Sequence, residues 1–530
     1  MSSPTIENVI VVMLENRSYD NMLGGLYLAS NPAPYNAPPS GQAALNGLAN
    51  SSGQPGNYSN PNPNVSGQTI PIGNQTSPTQ VGGEGVYYPP TTIPVLDPGE
   101  FFFDMACQIT GSLQTSNPYS TWPPSSTANL MQGFTVDYAD QSVTSKNIPD
   151  VMNYFTPAQA PVTAWLANNF GVCDQWFASV PTQTFTNRAF SHCAAPAVSG
   201  PASGPVSDYF SMVDDIQYIT DPLVSLPSIF SVLDAAYPNS STANWKVYFH
   251  DYSITMFTVP YVLSAALSTQ NRNVATYDNS DWGTETPQPI TSLFGPIQEP
   301  LGAVPPTFME DLAKGTLPMY SVIEPRYSNG YISEDKRFTP YAYPPNSNHP
   351  GAGNFPTIKG NTVGPTNPPI DVADGEAFLK QLYNALQQSG YWNKTLLIIT
   401  YDEHGGCYDH VTPPVAVPPG QTTSTPATTI PAAKNTADPT AAGFNFNVYG
   451  CRVPAIIVSP YITAGSRITS TSGTFDHTSI IRTVWDIFFT HAQPPKAPSV
   501  SSLTQRDAEG SAASLYPSLN FNIFNNPGQL

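Results

Sequence analysis

Two uninterrupted apolar runs, each breaking directly into a knot of acids and amides, constrain this chain most. Leu396-Leu397-Ile398-Ile399 runs into Asp402, Glu403, His404, Asp409 and His410, with Gly405-Gly406 between them. Val9-Ile10-Val11-Val12-Met13-Leu14 runs into Glu15-Asn16-Arg17-Ser18-Tyr19-Asp20-Asn21. Apolar runs without alternation belong to strands covered on both faces, as in a parallel sheet packed with helices. An open α/β sheet collects its chemistry at the carboxyl ends of its strands. A solvated acidic turn is the bland account of such a cluster. It fits poorly in a chain of which only 10% is charged, since a turn needs no such density of titrating groups.

Helical and strand-like segments alternate along the remainder. Spacing predicts helices over 101–112, 162–170, 225–236, 305–314, 375–389 and 476–489, and a short one over 18–26. Strands are expected over 172–179, 245–248, 319–324 and 453–459. The pattern predicts an α/β fold, a doubly wound and mostly parallel sheet flanked by helices. Residues 28–95 are rich in Asn, Pro, Gly and Ser and read as a long excursion, a lid or wrap containing a hairpin. Residues 415–445 read as an exposed Thr/Pro/Ala-rich insertion. With no repeat and no linker, the expectation is one catalytic domain over 1–530, with these long loop insertions or a small cap.

A formal net charge of −19 and the lack of a basic run set the chain against nucleic acid as a partner. Any phosphate chemistry must then rest on a local cation. The five cysteines match no zinc spacing and read as small buried hydrophobes, a Cys173–Cys193 bridge being the alternative. No basic n-region precedes the first strand, so no classical signal peptide is expected, and the compartment stays open. No apolar stretch reaches transmembrane length.

Three polar clusters each follow a buried run: Glu15-Asn16, Thr184 with Asn187-Arg188, and Asp402-Glu403. Gathered at one sheet edge, Glu15, Asp402 and Glu403 would raise one another's pKa values unless a cation stood among them. A divalent ion resolves this, with Asn16 as a neutral oxygen ligand, and oxygen donors favour Ca²⁺, Mg²⁺ or Mn²⁺ over Zn²⁺. Taken singly, Glu15-Asn16 is equally a helix start, and a lone Thr184 is more often a capping hydroxyl. His250 follows a strand and serves equally as an active-site or a structural imidazole. Asp409-His410 reads as support behind the acids, and Arg452 either pairs with one of them or lies at the surface.

The stretches VIVVMLENRSYDNMLGGL, FASVPTQTFTNRAFSH, NHP at 348–350, TYDEHGGCYDHVTPP and GCRVPAIIVSPY at 450–461 resemble the bacterial and plant phosphoesterase family, which holds non-specific phospholipases C and certain acid phosphatases. The resemblance runs from residue 6 to about 490. It implies an alkaline-phosphatase-like fold, with Glu15, Asn16, Asp402 and Glu403 binding one metal ion, Thr184 as nucleophile and His349 as an active-site histidine. The family often places His after an Asp-Pro-Gly turn; here Asp97-Pro98-Gly99 is followed by Glu100, which puts the leaving-group preference in doubt.

The mechanism so implied is attack by a metal-activated Thr184 on phosphorus, giving a phosphothreonine that water releases. The metal with Asn187 or Arg188 would stabilise the equatorial oxygens, and His349 or His250 would protonate the leaving oxygen. The Thr-x-x-Asn-Arg loop looks more like the phospholipase C branch, acting on phosphodiesters such as phosphatidylcholine, with phospholipid at a membrane surface as the partner. The alternative is an acid phosphatase acting on monoesters. A sulfatase or phosphotransferase of the same superfold is the remaining alternative, and the Cys/Ser-x-Pro-x-Arg signature of the usual sulfatase is absent.

Overall fold

The computed structural model describes residues 5–530 apart from 81–86, 142, 144–145, 201–208, 216–217, 219–220, 239, 241, 269–271, 277–306, 329, 333–337, 341–343, 352–367, 426, 435–438, 493 and 495. Its centre is a seven-stranded sheet. In chain order the strands are β1 (Asn8–Leu14), β2 (Gly171–Val172), β3 (Trp245–Phe249), β4 (Val274–Thr276), β5 (Tyr320–Ile323), β6 (Thr395–Tyr401) and β7 (Ala455–Val458). Their order in space is β4-β3-β5-β1-β6-β7-β2. β4, β3, β5, β1 and β6 run parallel, while β7 lies antiparallel to both β6 and β2.

Every residue of β1 and β6 is buried, which is why both read as continuous apolar runs. They pair along their whole length, Asn8 opposite Thr395 through Leu14 opposite Tyr401. The two polar clusters therefore emerge side by side.

The helices that matter for the site are α1 (Phe102–Thr110), α2 (Pro161–Asn169), α3 (Thr184–Cys193), α4 (Val372–Gln388) and α5 (Thr478–Trp485). α4 starts where the Asp371 carboxylate accepts the Ala373 N–H, an N-cap worth about 1 kcal/mol. It buries Phe378, Leu379, Leu382 and Leu386 and packs against α2, while α5 packs against α3.

Four sequence expectations need correction. The sheet is mixed, because β7 enters against the grain. The expected strand over 172–179 divides: only Gly171–Val172 joins the central sheet, and Trp176–Phe177 pairs instead with Phe475–Asp476. Between them Asp174 takes an ion pair with Arg467 at 2.6 Å. The short helix near 18–26 is a single wide turn, Asp20–Gly24. Segment 415–445 is not simply exposed: Ala433, Ala441 and Phe444 lie in a second apolar cluster with Phe102, Phe134 and Tyr408.

The excursion over 28–95 does carry hairpins, Ser59–Pro61 with Thr69–Pro71 and Thr79–Gln80 with Tyr87–Tyr88. All five cysteines are buried free thiols, so Cys173 and Cys193 are not bridged. Among the described residues no helix is long and apolar enough to cross a membrane.

Candidate active site

β1 and β6 end together, and the chain turns sharply after each. Asn16 takes a left-handed conformation, φ +59°, and Gly405 and Gly406 lie at φ +59° and +60°. Asn is the non-glycine residue that tolerates this region best. At Gly405 no side chain fits at all, because a Cβ would stand 2.0 Å from the Asn16 carbonyl oxygen. The two turns interlock, and this close approach is what brings Glu15-Asn16 and Asp402-Glu403 into one cluster.

Asp402 holds the turns together. Its Oδ1 accepts the backbone N–H of Asn16 at 3.0 Å and of Glu403 at 2.8 Å. Its Oδ2 accepts from Arg188 Nε at 3.0 Å and lies 3.0 Å from Arg188 Nη2. Arg188, fully buried, also donates to Tyr327 Oη at 2.8 Å and to the carbonyls of Met13 and Leu14. Behind Asp402, His477 Nε2 donates to its carbonyl oxygen at 2.5 Å, and Trp176 donates to His477 Nδ1 at 3.3 Å.

Thr184 is the first residue of α3 and is buried at the same place. Its hydroxyl donates to Asn16 Oδ1 at 3.3 Å. The Asn16 Nδ2 group donates to Glu100 Oε1 at 2.6 Å and to His349 Nε2 at 3.1 Å. One amide thus links nucleophile candidate, carboxylate and imidazole. Next to Thr184, the Phe185 N–H at the helix start donates to Asp215 at 2.9 Å; a helix N-terminus of this kind also suits a phosphate.

The structure draws Glu15, Asn16, Thr184, Arg188, His349, Asp402 and Glu403 together. Three expected roles change. Asn187 Oδ1 accepts from Val180 N–H, and its Nδ2 faces the carbonyls of Val180, Thr182 and Gln183. Both ends of that amide brace the loop before Thr184, so it does not reach for a substrate oxygen. Arg188 is likewise committed to Asp402 and to backbone carbonyls, so it sets the acid rather than the equatorial oxygens. His250 accepts from Arg326 Nε at 3.3 Å; burial, and then Arg326, hold its pKa down to about 3, which makes it a poor proton donor at neutral pH.

Sequence reasoning missed Asp97 as a neighbour of His349, 3.8 Å away, and left Glu100 as an anomaly. It also missed Tyr327 and Glu324, which face Arg188. Asp409 does pair with Arg452, through two bonds of 3.0 Å. His410, however, turns to Asp20 at 2.6 Å rather than to its neighbour Asp409.

The electrostatics of the cluster are those of crowded acids. Burial, and then Asp402, push Glu15 up to about 7, against the pull of His349 and Arg188. Burial, with Glu100 and Asp402 next, raises Glu403 well above the carboxylate range. Burial and Asp97 do the same to Glu100. Glu403 is fully buried; its Oε2 accepts the Gly405 N–H at 2.6 Å, and its Oε1 has no partner among the described residues.

An orphaned buried carboxylate oxygen beside Glu15, Asp402 and the Asn16 amide fits a divalent cation held by oxygen donors. Glu403 brings the uncommitted oxygen, Glu15 is bonded to the Ser347 side chain, and Asp402 shares its own oxygens with Arg188. Such an ion would restore ordinary acidity to the carboxylates.

Residues 6–490 match the model of the phosphoesterase family. Non-specific phospholipase C6 of Arabidopsis thaliana is 29% identical over 508 residues, covering 95% of this chain and 70% of that protein. Non-specific phospholipase C1 of the same plant is 27% identical over 493 residues, 91% of this chain and 67% of that one. Phospholipase C A of Mycobacterium tuberculosis is 25% identical over 488 residues, 90% and 72% respectively. With its family match running through both strand ends and the Thr184 helix, the chain belongs to the phosphoesterase family and is a hydrolase of phosphoric esters.

Proposed function

We propose that this enzyme cleaves phosphodiesters in the manner of a phospholipase C, with Thr184 as nucleophile, on an alkaline-phosphatase-like sheet. The observation that carries this is the bond from the Thr184 hydroxyl to Asn16 Oδ1, set among buried acids one of whose oxygens lacks a partner. Residues Glu15, Asn16, Asp402 and Glu403 would hold a divalent cation, whose Lewis acidity lowers the hydroxyl pKa and offsets phosphate charge.

The remaining parts are the chain's own. Asn187 braces the loop that aims Thr184, and Arg188 holds Asp402 in register. The Thr184 oxygen forms a bond to phosphorus as the ester bond to the leaving alcohol breaks. Water then attacks that phosphorus, the Thr184 oxygen leaves and regains a proton, and the headgroup departs as its phosphomonoester. The departing oxygen needs either a proton or a cation beside it. His349 is the side chain that can supply a proton there, as an imidazolium. Support for the diester comes from the Thr-x-x-Asn-Arg loop and from the names of the plant and mycobacterial relatives.

Thr184→Ala is expected to abolish turnover of p-nitrophenyl phosphorylcholine while leaving cation binding intact. Wild type quenched in acid during turnover of that diester should carry phosphorylcholine on Thr184 by mass spectrometry. Undiminished turnover in the variant overturns the nucleophile assignment. Faster cleavage of p-nitrophenyl phosphate than of the diester would favour the phosphatase reading.

A further inference from the structure

We propose that Asp215 is a specificity-determining residue, a place-holder at the phosphate seat. Its carboxyl group holds, in the substrate-free enzyme, the backbone N–H that a non-bridging phosphoryl oxygen takes over on Thr184. Asp215 Oδ1 accepts the Phe185 N–H at 2.9 Å, and Phe185 directly follows the proposed nucleophile. A phosphoryl group on a threonine in the first turn of a helix lies over the first amides of that helix, which have no partner within it. The group standing there is a carboxyl, which offers the same kind of acceptor oxygen. The role rests on the proposed function, because it needs Thr184 to be the residue that meets phosphorus.

The way Asp215 is held is the second observation. The side chain of Gln183, the residue before α3, caps none of the helix amides. Its Oε1 accepts the Asp215 N–H at 3.2 Å instead, so two residues 32 positions apart clasp each other. Thr182 and Thr186, on either side of Thr184, both donate their hydroxyls to the Val213 carbonyl, at 2.9 and 3.2 Å. Two residues further back, the Ser211 hydroxyl donates to the Pro431 carbonyl at 2.7 Å. Segment 211–215 is thereby a strap, tied to the nucleophile turn on one side and to the 415–445 insertion on the other. A helix that needs only a cap takes one from the residue before it. This helix takes a carboxyl from a separate strap, on the amide next to the nucleophile.

Asp215 is also poised to let go. It is half-buried, whereas Thr184, Phe185 and Asp214 are buried, so it stands at the edge of the site where water can take it up. Burial pushes its pKa well above the carboxylate range; the Phe185 N–H pulls it down, and Asp402, Asp214 and Glu15 push it up again. The N–H is therefore what keeps a carboxylate here. A phosphoryl oxygen tethered through Thr184 competes for that donor from within the same molecule, an advantage that free phosphate lacks. The place-holder thus resists free phosphate and the released monoester more than the bound ester, which clears the site after each turnover.

The test is anion affinity. Inorganic phosphate is titrated into full-length protein by calorimetry, and its inhibition of p-nitrophenyl phosphorylcholine turnover is measured in parallel. Asp215→Ala removes the acceptor and is expected to tighten both constants 10-fold or more while lowering KM for the diester. A residue that only caps α3 gives the reverse: the turn loosens, kcat falls, and phosphate binding weakens or stays as it was. That result overturns the proposal. Circular dichroism checks the fold. Asp215→Asn, the same size without the charge, is expected to tighten phosphate at least 3-fold; it decides the matter by the same criterion if the alanine variant misfolds. Phosphorylcholine trapped on Thr184, with phosphate affinity unchanged in the variants, overturns the place-holder and leaves the proposed function standing. Tightened phosphate binding with no adduct on Thr184 keeps the anion seat and overturns Thr184 as nucleophile.

Discussion

Arg188→Met isolates the electrostatic keystone of the cluster. Methionine retains much of the stem that packs near Tyr327, whose ring centroid lies 5.2 Å from the guanidinium, and it removes only the charge and its hydrogen bonds. Asp402 then loses both contacts of 3.0 Å to Oδ2, and Glu324 loses a cation at 3.8 Å. Both acids are fully buried, so solvent cannot replace what is lost. Breaking a buried pair by removing one partner costs about 3–5 kcal/mol, because the remaining charge is stranded. Removing that charge as well should recover most of the loss. The double variant Arg188→Met with Asp402→Asn is therefore expected to fall short of the sum of the single effects by roughly 1–3 kcal/mol. Urea unfolding followed by tryptophan fluorescence reads this directly, with chelator and then with saturating Mg²⁺ or Ca²⁺. The penalty should shrink with the cation, which supplies Asp402 with a new positive neighbour. A single variant within about 0.5 kcal/mol of wild type in both conditions would refute the claim that Arg188 holds Asp402.

Three further outcomes are expected. Glu15 keeps its proton to about 7 when folded and releases it near 4.5 when unfolded; the folded state binds more protons between those values, so chelated protein should lose about 3 kcal/mol as pH rises from 4.5 to 7. Urea midpoints at pH 5 and pH 8 check this, and Glu15→Gln or saturating cation should flatten the slope; an unchanged slope in the variant removes Glu15 as its source. Gly405→Ala should destabilise by more than the 1–2 kcal/mol of a left-handed alanine, because its Cβ meets the Asn16 carbonyl, and both turnover and cation affinity should fall; normal cation binding would show that the two turns move independently. Asn187→Ala should lower kcat about 10-fold or more with KM and cation content nearly unchanged, since it frees the loop rather than the ligands; a rise in KM alone would place Asn187 against the substrate instead.

What the sequence revealed depended on whether a feature was local. β1 and β6 were legible because burial on both faces leaves no alternation, and α4 because Phe378, Leu379, Leu382 and Leu386 recur at helical spacing. The direction of β7 was hidden: Ala455–Val458 is as apolar as a parallel strand, and its neighbours alone decide its sense. The site followed the same division. Glu15, Asn16, Asp402 and Glu403 announced themselves as acids and amides after buried runs. The roles of Asn187 and Arg188 did not, since adjacency in sequence says nothing about which atoms already have partners. Glu100 was visible only as a departure from a turn motif. Its bond to Asn16 joins residues 84 positions apart, a distance over which no periodicity speaks.

The placement of β1 has a consequence for how the molecule comes into being. It is made before the other six strands of its sheet, yet it lies inside that sheet between β5 and β6, whose residues begin at 320 and 395. At roughly 5–20 residues per second of synthesis, an apolar strand waits on the order of 20–80 seconds for the neighbour that completes the cluster. Through that interval it is a bare pairing edge, open to other chains and to chaperones. A ribosome halted between residues 185 and 401 carries Glu15, Asn16 and Thr184 without Asp402 and Glu403, so the proposed catalytic set is completed late and all at once.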